Sequence, residues 1–185
     1  PASRRVGLIV DIEQRLREGK GPAYERWAKV YNIKQMAAAL QFLRERQLTD
    51  YAALSAKTDG AVDRFHRLSD ELRATETELA HTSELMGAVV RYAKTRPVFD
   101  GYKAARYSRK YLAEHEAELA DYRGAKLPKM DALKEKRRAL AARKKKLYAE
   151  YRKAQQEMRE AVAVKTNIDH LLGLTDGQKN KEQER

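Results

Sequence analysis

Apolar residues recur at spacings of three and four from Tyr51 to Ala93, which is the pattern of a heptad repeat. A second run with the same spacing extends from Met130 to Leu172. A heptad seam buries its apolar stripe against a partner helix, and the two runs can supply each other's partner. The pattern therefore predicts an all-α fold, a long antiparallel coiled-coil helical hairpin whose arms are each about 65 Å long at 1.5 Å per residue.

Both seams contain polar residues where aliphatic ones are usual. Thr58, Thr75 and Thr82 interrupt the first seam, and Arg137 and Lys144 lie on the second. Such residues lower the stability of a coiled coil, and seam cations can set its register by reaching acids across the pair. We therefore expect arms that flex or contact a partner, with Arg137 and Lys144 directed at the opposite arm.

The segment before the first arm, residues 5–48, predicts a small helical base. Its first helix should run from Arg5 to Glu18, and Asn32 is a good cap for its last helix. Trp27 is the only tryptophan of the chain, and a tryptophan among Leu, Met and Phe residues usually anchors a core. We therefore expect Trp27 to be buried at the centre of this base.

The first arm, residues 49–96, should begin with Thr49 as its cap and end before Pro97, which cannot donate a helical hydrogen bond. Residues 97–127 then form a short helical tip, in which Ser108 to Arg123 is the predicted helix.

The second arm, residues 128–172, should place Pro128 in its first turn, where a missing N–H costs nothing. Residues 173–185 are polar and have no periodicity, which predicts a disordered tail.

Composition narrows the class of protein. Of the 185 residues, 36% are charged and none is cysteine, which favours long helices and excludes disulfides. No run of 18 apolar residues occurs, so we expect no membrane insertion and a cytoplasmic location. The chain opens Pro-Ala-Ser without methionine, so we expect a piece of a larger protein.

The sequence offers no catalytic arrangement. The four histidines, at positions 66, 81, 115 and 170, are far apart and lack the spacing of a metal site. No nucleophile is paired with a base. We therefore expect no enzymatic activity of this chain by itself, no metal and no cofactor.

The formal net charge of +12 is concentrated in the second arm. Between Lys134 and Lys153, ten Lys or Arg residues stand against Glu135 and Glu150. This imbalance favours a polyanion as partner, nucleic acid ahead of membrane lipid, over the alternative of a merely solvated helix face. The candidate phosphate contacts on this arm are Arg138, Arg143, Lys144, Lys145 and Lys146.

In the tip, aromatic residues alternate with cations, a composition typical of surfaces that stack bases and hold phosphates of single strands. The alternative is that the aromatics pack against each other and only close the hairpin. The candidate nucleic-acid contacts here are Lys94, Arg96, Tyr102, Lys103, Arg106, Tyr107, Arg109, Lys110 and Tyr111.

Several whole stretches are similar to the C-terminal half of conjugative relaxases, the mobilisation nucleases of Gram-positive plasmids and integrative elements. They run from Gly19 to Met36, Tyr92 to Arg96, Tyr107 to Glu116 and Tyr148 to Arg152, in the same order. The resemblance covers residues 5 to 174. A relaxase nicks one strand at the transfer origin with a tyrosine and a histidine-bound metal in its N-terminal domain. The resemblance therefore implies a non-catalytic accessory region.

Two functions follow from these observations. The first is an accessory DNA-binding domain that holds single-stranded or duplex origin DNA or helps assemble the transfer complex. The second is a protein-interaction or dimerisation coiled coil that recruits a coupling protein or other relaxosome components. A homodimer with arms paired between chains satisfies the same heptads. An RNA-binding arm like that of seryl-transfer-RNA synthetase is a third possibility, on architecture and charge alone.

Overall fold

The computed structural model describes residues 7–116 and 127–175, and all regular structure within these two ranges is helical. This confirms the predicted all-α class. The helices of the described residues are α1 (Leu8–Glu18), α2 (Pro22–Val30), α3 (Ile33–Glu45), α4 (Tyr51–Ala104), α5 (Arg109–Glu114) and α6 (Met130–Leu172).

The described residues form two compact units, and the two longest helices contribute to both. The base unit consists of residues 7–68 and 151–175, and the arm unit consists of residues 69–116 and 127–150.

The core of the base unit is built around Trp27, as its sequence context predicts. Only 1% of the surface of Trp27 is exposed, and its indole Nε1 donates to Asn167 Oδ1 at 2.6 Å. This hydrogen bond pairs the buried indole N–H with the buried amide oxygen and so offsets the cost of removing both from water. The buried apolar residues of this core are Leu8, Ile12, Trp27, Met36, Ala39, Leu40, Phe42, Leu43, Leu48, Leu54, Ala161, Val164, Ile168 and Leu171.

Local sequence sets several helix ends in the base unit. Asn32 Oδ1 accepts from the backbone N–H of Gln35, and Gln35 Oε1 accepts from the N–H of Asn32, both at 2.9 Å. This capping box confirms the predicted cap of α3. Gly19 and Gly173 follow α1 and α6 in the left-handed conformation, with φ of 56° and 71°, which glycine adopts without strain.

The predicted cap of the first arm was wrong by one residue. Asp50 is the cap of α4, because its Oδ1 accepts from the N–H of Ala53 at 2.7 Å and its carbonyl accepts from Leu54. The carbonyl of Thr49 is engaged elsewhere, since it accepts from the N–H of Leu8 at 3.0 Å. Thr49 therefore holds the start of α1. The predicted start of the first helix at Arg5 was wrong, because Gly7 has an extended backbone and α1 begins at Leu8, while residues 5 and 6 lie outside the described residues.

The heptad seams are confirmed in each unit. In the base unit, Leu54 and Thr58 on α4 and Ala154, Ala161 and Ile168 on α6 are buried. In the arm unit, the buried seam residues are Thr75 and Thr82 on α4 and Leu133, Leu140 and Leu147 on α6.

The two seam cations behave differently. Lys144 Nζ lies 2.9 Å from Glu76 Oε1 on α4, which is the predicted ion pair across the arms. Arg137 is exposed, and the described residues offer it no acid partner, so the same expectation was wrong for Arg137.

The predicted end of the first arm before Pro97 was wrong, whereas the predicted start of the tip helix was right, because Ser108 is the N-terminal cap residue of α5. α4 continues through Pro97 to Ala104. Pro97 removes the hydrogen bond to the carbonyl of Ala93 and sets its ring against that carbonyl, but Ala93 is exposed, so water can replace the lost bond. The predicted helix from Ser108 to Arg123 is described only to Glu116, with α5 ending at Glu114, and the Ser108 side chain makes no capping bond. Residues 117–126 lie outside the described ranges.

The predicted first-turn position of Pro128 was wrong as well. α6 begins at Met130, and the carbonyl of Lys129 accepts its first hydrogen bond from Leu133. Pro128 therefore precedes the helix instead of lying in its first turn.

Replacing Thr82 by valine is expected to raise the free energy of unfolding by up to about 1 kcal/mol. Thr82 is 0% exposed, and its hydroxyl donates only to the carbonyl of Glu78 in its own helix, at 2.8 Å. Valine puts a methyl group into the same apolar seam, and chemical denaturation measures the gain.

The matched control for this change is Thr77→Val. Thr77 makes the same bond, to the carbonyl of Arg73 at 3.0 Å, but is exposed, so its replacement should give no gain. A Thr82→Val protein no more stable than the Thr77→Val protein would contradict the prediction.

Lys165 on α6 is predicted to stabilise the base unit in a pH-dependent way. Its Nζ donates to Asp169 Oδ2 at 2.8 Å, and the hydroxyl of Tyr51 donates to Asp169 Oδ1 at 2.6 Å. The hydrogen bond to Asp169 raises the pKa of Lys165 above its ordinary value of 10.5, against the opposing effect of burial.

The pKa of Lys165 is higher in the folded than in the unfolded protein. Its contribution to the free energy of unfolding is therefore complete below the pKa of the unfolded state, and it is lost as the pH rises through the pKa of the folded state. The stability difference between the native protein and Lys165→Met should therefore be constant well below pH 10.5 and shrink as the pH rises above 10.5 in urea titrations. A difference that is independent of pH would refute this.

Candidate nucleic-acid interface

The cations of α6 in the arm unit lie mostly on its exposed faces. From Met130 to Glu150 there are eight Lys or Arg residues and three acids. Two of the eight cations form ion pairs: Lys144 with Glu76, and Arg138 with Glu135 at 3.4 Å. The other six are exposed and have no acid partner within the described ranges: Lys134, Lys136, Arg137, Arg143, Lys145 and Lys146.

Helical spacing places these cations on both sides of α6. Lys134, Arg138 and Lys145 follow one another at intervals of four and seven and share one side. Arg138 and Lys145 are about 10.5 Å apart along the axis at 1.5 Å per residue. Lys136 and Arg143, also seven residues apart, share the other side. The exposed surface of α6 thus carries a row of cations on each of two opposite sides, and either row can contact phosphates along a DNA strand.

Lys144 differs from its neighbours in the run of three lysines. Its side chain is directed at Glu76, while Lys145 and Lys146 point away from the seam. The candidate residues Arg138, Arg143, Lys145 and Lys146 are therefore exposed as predicted, and Lys144 is primarily a link between α4 and α6. Sequence spacing had already placed Lys144 on the seam, but it could not identify Glu76 as its partner.

The aromatic residues of the tip contact one another. The ring of Tyr102 stacks on Tyr111 with centroids 6.1 Å apart and meets the edge of Tyr107 at 5.2 Å. The hydroxyl of Tyr111 donates to the carbonyl of Val98 at 3.1 Å. This is the packing alternative that the sequence left open, and it accounts for Tyr102 and Tyr111, both of which are partly buried.

Among the described tyrosines of the tip, Tyr107 is the most available for stacking, with 59% of its surface exposed. Arg106 and Tyr107 both adopt the left-handed conformation, with φ of 50° and 59°, where glycine is usual. Each such residue costs about 1–2 kcal/mol of backbone strain. The turn that ends α4 therefore projects an arginine and a tyrosine at positions where stability alone would favour glycine.

The remaining tip cations surround this turn without forming ion pairs within the described part of the chain. Lys103 Nζ lies 4.9 Å from the centroid of the Phe99 ring. Lys94, Arg96, Arg109 and Lys110 are exposed. The sequence named these cations as nucleic-acid contacts, which stays a prediction, and nothing in it indicated the left-handed turn at Arg106 and Tyr107.

The described residues also lack a metal-ligand cluster and a membrane-spanning helix. No group of three or more His, Asp or Glu residues there could hold a metal ion. No described helix is both long and apolar enough to cross a membrane.

Gly101→Ala is expected to lower the free energy of unfolding by about 1 kcal/mol, although alanine is the better helix former. A Cβ at Gly101 would meet the hydroxyl of Tyr111 and lie 3.0 Å from its ring carbon Cζ. Tyr111 would have to move, which breaks its bond to Val98 and its stack on Tyr102. Urea unfolding measures the change in stability, and NMR of the tyrosine ring protons detects the displacement.

Gly87→Ala in the same helix is the control for helix propensity. There the nearest atom to an added Cβ is the flexible Arg91 Nη1, at 3.4 Å. This variant should gain up to about 1 kcal/mol. Equal gains at both positions would show that Tyr111 is not held against Gly101.

Comparison with known proteins gives no match, whether the chain is compared with family models, curated proteins or solved structures. The relation to relaxases therefore stays a prediction from the similar stretches between Gly19 and Arg152.

Proposed function

We propose that this chain is an accessory DNA-binding region of a conjugative relaxase, which holds DNA of the transfer origin while another domain cuts it. The observation that carries the proposal is the row of exposed cations on α6 that no acid within the described ranges neutralises. Phosphate groups are the natural partners of such a surface, because their contacts release condensed counterions.

The two parts of the candidate interface have different roles in this proposal. The cations of α6 bind the phosphate backbone without reading sequence. Tyr107 at the tip offers a ring on which an unpaired base can stack, flanked by Arg106 and Arg109. The chain performs no chemistry itself, and strand cleavage belongs to the N-terminal domain that the relaxase resemblance implies.

The test is fluorescence anisotropy of labelled single-stranded and duplex DNA, titrated with the protein at low and near-physiological salt. We expect micromolar or tighter binding, and log K should fall linearly with log salt, at about 0.9 per phosphate contact on duplex DNA. A higher affinity for single-stranded than for duplex DNA would indicate that the tip is the main binding surface. Equal affinities for the two would indicate that α6 is. No binding at low salt would refute the DNA-binding role and leave the interaction module that recruits a coupling protein.

The relaxase part of the proposal has its own test. Sequencing the reading frame upstream of Pro1 should reveal a domain with a histidine cluster and a candidate nucleophilic tyrosine. A frame that encodes another kind of domain would refute the relaxase assignment and leave DNA binding intact. Light scattering over a range of concentrations tests the homodimer, which a strict monomer would eliminate.

A further inference from the structure

A pocket of about 370 Å³ opens in the base unit between the end of α3, the first turns of α4 and the last turns of α6. Its volume lies in the range of small-molecule sites. Both apolar and charged residues line the pocket: Phe42, Arg46, Ala56, Lys57, Gly60, Ala61, Arg64, Glu157 and Ala161.

Three cations line this pocket against one carboxylate. Arg46 Nη2 lies 3.3 Å from Glu160, and Arg64 Nη1 lies 3.5 Å from Glu157. The side chains of Arg46 and Arg64 are 30% and 47% exposed, and ion pairs between such solvent-accessible side chains contribute little to stability. An incoming anion can therefore displace them at low cost, and Lys57 has no ion pair with any described residue.

Arg46 also offers a surface for a flat ring. Its guanidinium carbon lies over the Phe42 ring, 3.9 Å from the ring centroid. A planar guanidinium readily stacks on aromatic rings. Because Arg46 lines the pocket, a ligand ring there can stack on it in the same way that Phe42 does.

Gly60 lies in the interior of α4, where glycine lowers helix stability relative to any ordinary residue. No packing contact requires it, because a Cβ added at Gly60 would meet nothing within 4 Å. Its missing side chain leaves open the wall of the pocket between Lys57 and Arg64. A ligand that occupies this space explains why a helix-weakening residue stands there.

We propose that this pocket binds a nucleoside monophosphate, with the base stacked on Arg46 and the phosphate held by Lys57 and Arg64. Arginine and lysine are the usual phosphate partners, and the alanines at positions 56, 61 and 161 accommodate the apolar part of the ligand. The site is independent of the proposed DNA surface, because every residue that lines it belongs to the base unit.

Titration of the full chain with thymidine monophosphate, followed by amide NMR, tests the proposal. Saturable shifts are expected at Gly60, Ala61 and Ala161. Inorganic phosphate should bind at least roughly tenfold more weakly, because it lacks the ring that stacks. Absent or unsaturable shifts, or equal binding of inorganic phosphate, would overturn the proposal.

Gly60→Leu, whose Cβ would meet nothing within 4 Å, should place its side chain in the pocket and abolish the shifts, and it should raise the melting temperature because leucine is the better helix former. Gly87→Leu, on the same helix but in the arm unit, should bind thymidine monophosphate like the native chain. Arg64→Gln, which removes a phosphate partner at an exposed position, should weaken binding several-fold. Native affinity in Gly60→Leu would overturn the assignment of the pocket.

An oligothymidine distinguishes the source of the nucleotide. If it shifts the amides around Gly60 and competes with thymidine monophosphate, the ligand is a nucleotide within a strand. If only the mononucleotide does so, the ligand is free. Charge reversal on α6 should leave the thymidine monophosphate shifts unchanged, so failure of the DNA-binding role and failure of this proposal give different results.

Discussion

Trp27→Ala is expected to lower the free energy of unfolding by about 3–5 kcal/mol, more than any other single substitution in the base unit. Trp27 is 1% exposed, its ring lies 5.6 Å from that of Tyr24, and its indole N–H is bonded to Asn167. The change leaves a large cavity and removes the partner of a buried amide. Since a domain of this kind is stable by only about 5–15 kcal/mol, much of the base unit's stability would be lost.

Urea unfolding followed by circular dichroism at the helix band measures this loss, because the variant has no tryptophan fluorescence. Val30→Ala is the matched control on the same helix. Val30 is 64% exposed, so its replacement should change stability by no more than about 0.5 kcal/mol. Similar values for the two variants would mean that Trp27 does not anchor the core.

The periodic part of the fold could be predicted from the sequence because burial follows helical spacing whatever the partner is. Leu54, Leu133 and Ile168 were placed on the seam by spacing alone, and all three are buried. The cap at Asn32 was equally predictable, because both halves of the capping box lie within four residues. Such features depend only on residues that are close together in the sequence, so the sequence alone is enough to predict them.

Features that depend on the environment of a residue could not be predicted. Pro97 usually ends a helix, yet α4 passes through it where the affected carbonyl belongs to exposed Ala93. Arg106 and Tyr107 adopt left-handed conformations that neither residue type prefers. In both places the environment of the backbone outweighs the conformational preference of the residue type. A single sequence does not show that environment.

Only part of the candidate interface could be predicted, because the contacts of a side chain depend on its surroundings. Exposure of Arg143, Lys145 and Lys146 follows from their distance from the seam, and the structure agrees. The sequence treated Lys144 and its two following lysines as one patch, whereas Lys144 is paired with Glu76. Reversing the charge of Lys144 would therefore break a link between α4 and α6 and confuse a binding test with a folding defect.

Apolar packing and charge are divided between the two units. The large apolar core, with Trp27, Met36 and Leu43 fully buried, lies entirely within the base unit. The arm unit contains the phosphate candidates of α6 and the tip, and its seam includes buried Thr75 and Thr82. Changes to the cations of the arm unit should therefore affect binding with little effect on the stability of the base.

The triple change Arg143→Glu, Lys145→Glu and Lys146→Glu is expected to weaken DNA binding by at least about 30-fold at low salt. It should also reduce the slope of log K against log salt by about 3, because each cation that contacts a phosphate contributes close to one unit. All three side chains are exposed and outside the seam, so helix content and unfolding free energy should stay near the native values.

The control is Lys20→Glu, Lys29→Glu and Lys34→Glu, which makes the same change in net charge on exposed residues of the base unit. If the interface lies on α6, this control should lose only the long-range part of the attraction, less than about threefold near physiological salt. If both triple variants lose affinity equally and keep equal salt slopes, DNA is held by net charge alone. Unequal slopes are the decisive result, because a slope counts the phosphates that are contacted, whereas affinity alone also responds to distant charge.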